Sequence, residues 1–300
     1  MTAGVAAAEV TFSGTANFGY NDTDATTGAS VGAAFSDIDL NIAFSQELNN
    51  GYTAAASFEF DVANADQGAS FNASDAVISL TNADSGIHYG DTKHGAENAW
   101  SAVGSMDNDD FRVADGEMVT RADMTFGGAK IGISLGDDTN ISGTEKDYIS
   151  LGITGSAGSF SYALAHQNAN TTTVDLDDNS AFTQQATTGV RVSTTLGGAT
   201  VALGYAKNDN GGSTGIEVSY PMGALTTTAS YVQEGAASAE NKWDVKVAYA
   251  EGALGVTVAT DESQDWNVDV SYDMGNGMNL FVGADDGGKD TYAGVSYDLG

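Results

Sequence analysis

From Glu9 onward, apolar and polar residues alternate with a period of two. Trp243, Val245, Val247 and Tyr249 point one way, with Asp244, Lys246 and Ala248 opposite. Trp266, Val268, Val270 and Tyr272 repeat the pattern against Asn267, Asp269, Ser271 and Asp273. Ile216, Val218 and Tyr220 alternate with Glu217 and Ser219, and Ala54, Ala56, Phe58 and Phe60 with Ser57, Glu59 and Asp61. Helical spacing fits none of these segments. The long uncharged run from Tyr148 to Val174 is full of Gly, Ser, Thr and Asn, unlike a membrane-spanning helix of about 20 apolar residues.

The connections alternate as well. Short turns are expected at Gly127-Gly128, Ser156-Ala157, Gly197-Gly198, Pro221-Met222-Gly223, Glu251-Gly252 and Gly275-Asn276-Gly277. Longer acidic or polar loops are expected at 20–32, 62–74, 91–118, 137–146, 169–186, 208–213 and 235–241. This meander predicts eighteen strands, near 9–20, 33–47, 51–62, 74–82, 86–91, 119–127, 130–137, 147–155, 158–168, 187–196, 199–208, 214–220, 224–234, 241–250, 253–260, 264–274, 278–286 and 290–299. The weakest signals are 33–47 and 86–91, so sixteen is the alternative. An even count puts both ends of the chain on one side.

Eighteen strands closed into one cylinder enclose a lumen too wide for side chains to fill. The polar phase then faces water inside, and the apolar phase faces lipid. Trp243, Trp266, Tyr249, Tyr272, Tyr205, Tyr220, Tyr231 and Tyr297 lie near strand ends, where aromatic girdles belong. The expectation is an all-β, transmembrane, antiparallel up-and-down barrel over residues 9–300, closed by pairing the last strand with the first. The single proline, Pro221, is assigned to a turn. The first eight residues stand apart: Ala6-Ala7-Ala8 fits the small-residue pattern before a secretory cleavage site, so 1–8 reads as the remnant of a signal peptide.

Composition narrows the function. Glycine fills 38 of the 300 positions, and there is no cysteine, which excludes disulfides, thiolate metal sites and cysteine nucleophiles. Forty-one acidic residues face ten basic ones, a formal charge of −31 that repels phosphate backbones, so no nucleic-acid partner is expected. His88, His94 and His166 are dispersed, and no nucleophile elbow, Walker motif or dinucleotide fingerprint is present. An enzyme is therefore not expected.

Several stretches resemble the general porins of the alphaproteobacterial outer membrane. Glu9-Val10-Thr11-Phe12-Ser13-Gly14 is similar to their first strand, and Gly86-Ile87-His88-Tyr89-Gly90-Asp91 to their fifth. Gly95-Ala96-Glu97-Asn98-Ala99 resembles the start of their third external loop, and Tyr297-Asp298-Leu299-Gly300 their closing strand. The resemblance implies an integral outer-membrane channel, a homotrimer set in lipid bilayer and lipopolysaccharide, passing small hydrophilic solutes. It also implies that the long third loop, Thr92 to Met118, folds into the pore. General porins of this type have sixteen strands, one hairpin fewer than the pattern here.

Glu97, Asp107, Asp109, Asp110, Asp115 and Glu117, with Arg112, would then form part of the constriction. Asp37, Asp39, Glu59, Asp61, Asp123, Glu217, Asp244, Asp269 and Asp273 lie on the polar phase and line the wall, with Arg121, Arg191 and Lys246 as its cations. Rings of carboxylates favour cations. Asp107, Asp109 and Asp110 are also candidates for calcium, although the spacing lacks the central glycine and distal glutamate of an EF-hand. No other cofactor is expected. Phe281 and Tyr292 are the main inward-facing aromatics. The alternatives are a substrate-specific sugar channel and a secreted acidic β-protein acting in adhesion.

Overall fold

The computed structural model describes residues 8–25, 29–64, 68–114, 118–137, 148–174, 181–235, 240–286 and 290–300. Five strands precede the long loop: β1 (Glu9–Ala25), β2 (Ala29–Glu47), β3 (Thr53–Asn64), β4 (Gly68–Thr81) and β5 (Ser85–Gly90). The loop carries one short helix, α1 (Gly95–Ala99). β6 (Met118–Phe126), β7 (Ala129–Asp137), β8 (Tyr148–Ala157) and β9 (Phe160–Gln167) follow. A separate two-stranded hairpin comes next, β10 (Asn170–Val174) with β11 (Ala181–Gln184). The wall resumes with β12 (Thr187–Leu196), β13 (Ala199–Lys207), β14 (Gly212–Met222), β15 (Leu225–Glu234) and β16 (Lys242–Glu251). It ends with β17 (Leu254–Asp261), β18 (Trp266–Gly275), β19 (Met278–Asp285) and β20 (Asp290–Leu299).

Every strand of the 18-stranded sheet pairs antiparallel with its neighbours along the chain, β9 bridging to β12. β1 pairs with β2 on one side and with β20 on the other, from Gly14–Leu299 to Thr23–Asp290. The sheet is therefore a closed barrel without a free edge, which removes the unpaired backbone groups that lipid cannot satisfy. The expected eighteen strands, rather than sixteen, are present.

The short turns are set by local chemistry. Gly127 and Gly128 both adopt left-handed backbone, with φ of 59° and 84°. That geometry matches the twist of a two-residue hairpin, and glycine reaches it without a Cβ clash. Ser156-Ala157, expected as a turn, instead ends β8, and the chain reverses at 158–159. Pro221 likewise lies within β14, opposite Thr226 of β15, and not in the turn. The β13–β14 ladder has already ended at Thr200–Ser219, so there is no ladder on that flank for a proline to interrupt.

Two of the expected long loops are not loops. β1 runs to Ala25 and β2 starts at Ala29; β3 runs to Asn64 and β4 starts at Gly68. Outside the lipid, backbone pairing alone extends a hairpin, and polar stretches such as Asn21-Asp22-Thr23-Asp24 need not alternate to continue it.

The outward phase is apolar. Phe12, Ile78 and Leu196 are each 61% exposed and Phe126 is 75% exposed, as a lipid-facing surface requires. Trp243, opposite Tyr231, and Trp266, opposite Thr260, share that outer face near the long-loop end. The apolar core is small and lies inside the barrel, where Val103 and Met106 of the loop pack on Ala202, Ala206 and Val232 of the wall.

Candidate functional site: the lumen and its loop

The loop after β5 lies along the inner wall, and the wall is cut to receive it. α1 rests on β7, β8 and β9. Gly95 N–H donates to Ser134 Oγ at 2.9 Å and Ala96 N–H to Ser150 Oγ at 2.7 Å. A Cβ on Gly152 would stand 1.9 Å from the Gly95 carbonyl oxygen, so only glycine permits this approach. Beyond the helix, the Trp100 ring covers Gly189, and the Val103 side chain and Met106 cover Gly204 and Gly215.

Polar pins hold the far end. Glu234 accepts hydrogen bonds from Asp107 N–H at 3.0 Å and Asn108 Nδ2 at 2.8 Å, and Asn108 Nδ2 also donates to Ser213 Oγ at 3.0 Å. The return path is held by Gln167. Its Oε1 accepts from Arg112 N–H at 2.9 Å, and its Nε2 donates to the Asp110 carbonyl at 2.8 Å.

The acidic residues expected to form a filter serve mostly as fasteners. Glu97 Oε2 accepts from His94 N–H at 3.0 Å and from Ala114 N–H at 3.1 Å, closing the loop on itself. Asp107 forms an ion pair with Lys242 of β16. Asp109 accepts from Trp100 Nε1 at 2.9 Å. Burial pushes the Asp109 carboxyl above the usual carboxylate range; the Trp100 N–H works against this, and the charges of Asp110 and Glu234 add to it. Asp110 Oδ2 lies 3.4 Å from Asn208 Nδ2. Asp107, Asp109 and Asp110 thus serve three different partners. Among the described residues no group of three His, Asp or Glu side chains comes together to hold a metal ion. Asp115, Glu117 and the side chain of Asp61 lie outside the described residues.

Arg121 also works for the loop. It is 8% exposed, and its Nη1 donates to the Lys93 carbonyl at 2.6 Å while its Nε pairs with Asp123 at 3.0 Å. Asp123 also meets His88 Nε2 at 3.2 Å. Arg191 is half-buried on β12, its Nε without a hydrogen bond. Glu217 of β14 is half-buried, and Asp244 of β16 accepts from Ser230. Lys246 is exposed on β16, opposite Thr228 and Ala259.

The facing wall, β1–β4 with β17–β20, is different. Asp37 stands opposite Asn17, Asp39 opposite Thr15 and Asp61, and Glu59 opposite Asn41. Thr15 Oγ1 donates to Asp39 Oδ2 at 3.2 Å. Asp269 accepts from Asn267 Nδ2 at 2.8 Å and from the Tyr292 hydroxyl. Asp273 is exposed opposite Asn279. None of these eight strands contains a lysine or arginine.

Periodicity did not single out His94, Trp100, Gln167, Ser213 or Glu234, which anchor the loop. One signal was present: Trp100, Val103 and Met106 recur every third residue in a stretch that is otherwise small or polar. Such a stripe needs an apolar face to lie on.

The family model described as Gram-negative porin matches residues 1–300. A triple mutant of the Rhodopseudomonas blastica porin superposes with a TM-score of 0.65 at 15% identity, covering 97% of this chain and 100% of that one. A second variant of that porin gives 0.65 at 16% identity, and a third 0.60 at 16%, each with the same coverage. No protein of a curated sequence set matches significantly. With its closed barrel, apolar exterior and loop folded into the lumen, the chain belongs to the Gram-negative porin family, whose members are integral outer-membrane channels and not enzymes.

Proposed function

We propose that this channel prefers cations and passes small hydrophilic solutes by diffusion, with selection set by lumen charge and free cross-section. One observation carries the reading: strands β1–β4 and β17–β20 line half of the lumen with carboxylates and contain no basic residue. Asp39 and Asp61 stand directly opposite in register. At about 0.15 M salt the Debye length is about 8 Å, so solutes passing near this wall feel its charge while those in a wide vestibule do not.

The filter in this reading is the bare wall, not the loop acids. Asp107 is neutralised by Lys242, and Glu97 and Asp109 are held in hydrogen bonds. The expected assembly is a homotrimer, with lipid bilayer and lipopolysaccharide against the outward face. Planar-bilayer recording tests the selectivity. In a salt gradient of potassium chloride the reversal potential should carry the sign of a cation-preferring channel and shrink as total salt rises. A reversal potential of anionic sign sinks the reading.

A further inference from the structure

One feature of the bare wall is not acidic. Phe281, Gly294, Gly19 and Phe35 form a row across four adjacent strands, β19, β20, β1 and β2, all on the lumen phase. The two glycines occupy the middle, and the two rings fold over them. A Cβ on Gly19 would lie 2.7 Å from Phe35 Cζ, and one on Gly294 2.5 Å from Phe281 Cζ. With no Cβ in the way, the rings meet in a stacked pair, centroids 6.4 Å apart and planes 29° apart. The next row adds Tyr292, whose ring lies over Gly283 and 6.4 Å from Phe281. Its hydroxyl is tied to Asp269, which fixes the ring against the wall.

Three half-buried aromatic faces therefore form one platform open to the lumen. Toward the long-loop end it adjoins a depression of about 360 Å³ between Ser105 of the loop and the wall, carrying Asp244, Asp261, Asp265 and Asp285. Aromatic faces flanked by carboxylates suit a ligand that is positively charged and weakly hydrated. Ring quadrupoles attract such a cation within about 6 Å of a centroid. A sugar would also stack on rings, but it carries no charge for the surrounding carboxylates to attract, and β1–β4 and β17–β20 contain no lysine or arginine to offset them.

We propose that this platform and its neighbouring carboxylates form a binding site for organic cations on their way through the pore. The proposal rests on the channel reading above but not on the channel's preference between small ions.

The test uses the whole protein in planar bilayers, with benzyltrimethylammonium as the probe. Millimolar probe should reduce the potassium current reversibly, while neutral benzyl alcohol at the same concentration should not. Phe281→Leu should weaken the block about fivefold, the loss expected for one cation–π contact. Phe35→Leu, at the other end of the row, is the second variant in case the first does not assemble. Block of equal strength in an assembled variant and the parent, or equal block by benzyl alcohol, overturns the proposal. Reversal potentials in potassium chloride are read on the same membranes. A channel without cation preference whose block still depends on Phe281 sinks the selectivity reading and leaves the platform standing. A cation-preferring channel that the probe does not block does the reverse.

Discussion

The two halves of the barrel solve different problems with the same alternating strands. On β7–β9 and β12–β16 the lumen phase carries Gly132, Ser134, Ser150, Gly152, Gly189, Gly204, Ser213 and Gly215, a shallow surface that the loop covers. On β1–β3 and β17–β20 the same phase carries carboxylates and three aromatic rings, and no loop covers it among the described residues. The covered half and the adjoining β6 use their polar groups internally: Glu234, Gln167 and, on β6, Arg121 hold backbone or loop side chains. On the bare half Asp39 and Asp269 accept hydrogen bonds from the neutral side chains of Thr15, Asn267 and Tyr292, and no basic residue of these strands offsets their charge. A loop that docks needs small residues beneath it, whereas a wall that selects needs charge on it, and one surface serves both poorly.

The largest expected effect comes from erasing the difference. Deleting residues 101–110 removes Val103, Met106 and Asn108 and with them the apolar cluster and the Glu234 pin. Single-channel conductance should rise markedly; an unchanged conductance rejects the loop as an obstacle.

A milder intervention keeps the loop but spoils its seat. Gly152→Val places a side chain where the Gly95 carbonyl oxygen stands 1.9 Å from a Cβ. Overpacking of this kind costs about 1–3 kcal/mol, and the docked helix α1 should give way before the barrel does. Flickering current with an intact barrel is the expected readout. The counterpart on the bare half is Gly255→Ala, whose Cβ meets only Ser271 Oγ, at 2.6 Å. That hydroxyl can rotate aside, so current and stability should stay near the parent values.

Charge neutralisation then compares the halves directly. Asp37→Asn, Asp39→Asn and Glu59→Gln together should shift the reversal potential toward zero more than Asp107→Asn, Asp109→Asn and Asp110→Asn together. The loop set is already partnered, and removing Asp107 leaves Lys242 exposed to the lumen. A larger shift from the loop set would return the filter to the loop.

The smallest effect concerns Asp109. Its carboxyl is raised by burial, so its contribution favours the folded state below the ordinary carboxylate range and fades as pH rises through the raised value. Asp109→Asn should therefore be slightly more stable than the parent at neutral pH. The gap in unfolding temperature should close on acidification. A gap that is constant with pH argues that the Asp109 charge does not strain the dock.

The wall was legible because its rule is local. A strand between lipid and water must alternate at every residue, so the inward positions of Arg121, Arg191, Asp269, Phe281 and Tyr292 followed from phase alone. Phe35 shares the phase of Asp37 and Asp39, so the same local rule places it inward. Strand ends were less legible. Beyond the membrane, pairing in β1–β4 persists without alternation, and Pro221 is tolerated where one flank carries no ladder.

The sequence by itself determined the period, the outward apolar face, the acidic lumen phase and the presence of one long loop, and it narrowed the strand number to eighteen or sixteen. Only the tertiary structure decided that the strands number eighteen and which wall residues the loop acids beyond α1 meet. Glu97 caps its own helix at His94, three positions away, but Lys242 lies 135 positions from Asp107 and Glu234 lies 126 from Asn108. Alternation constrains a residue against its nearest neighbours, so it assigns a face. Which distant side chain meets a loop is fixed by barrel closure and by where glycines leave room, and no local pattern encodes that meeting.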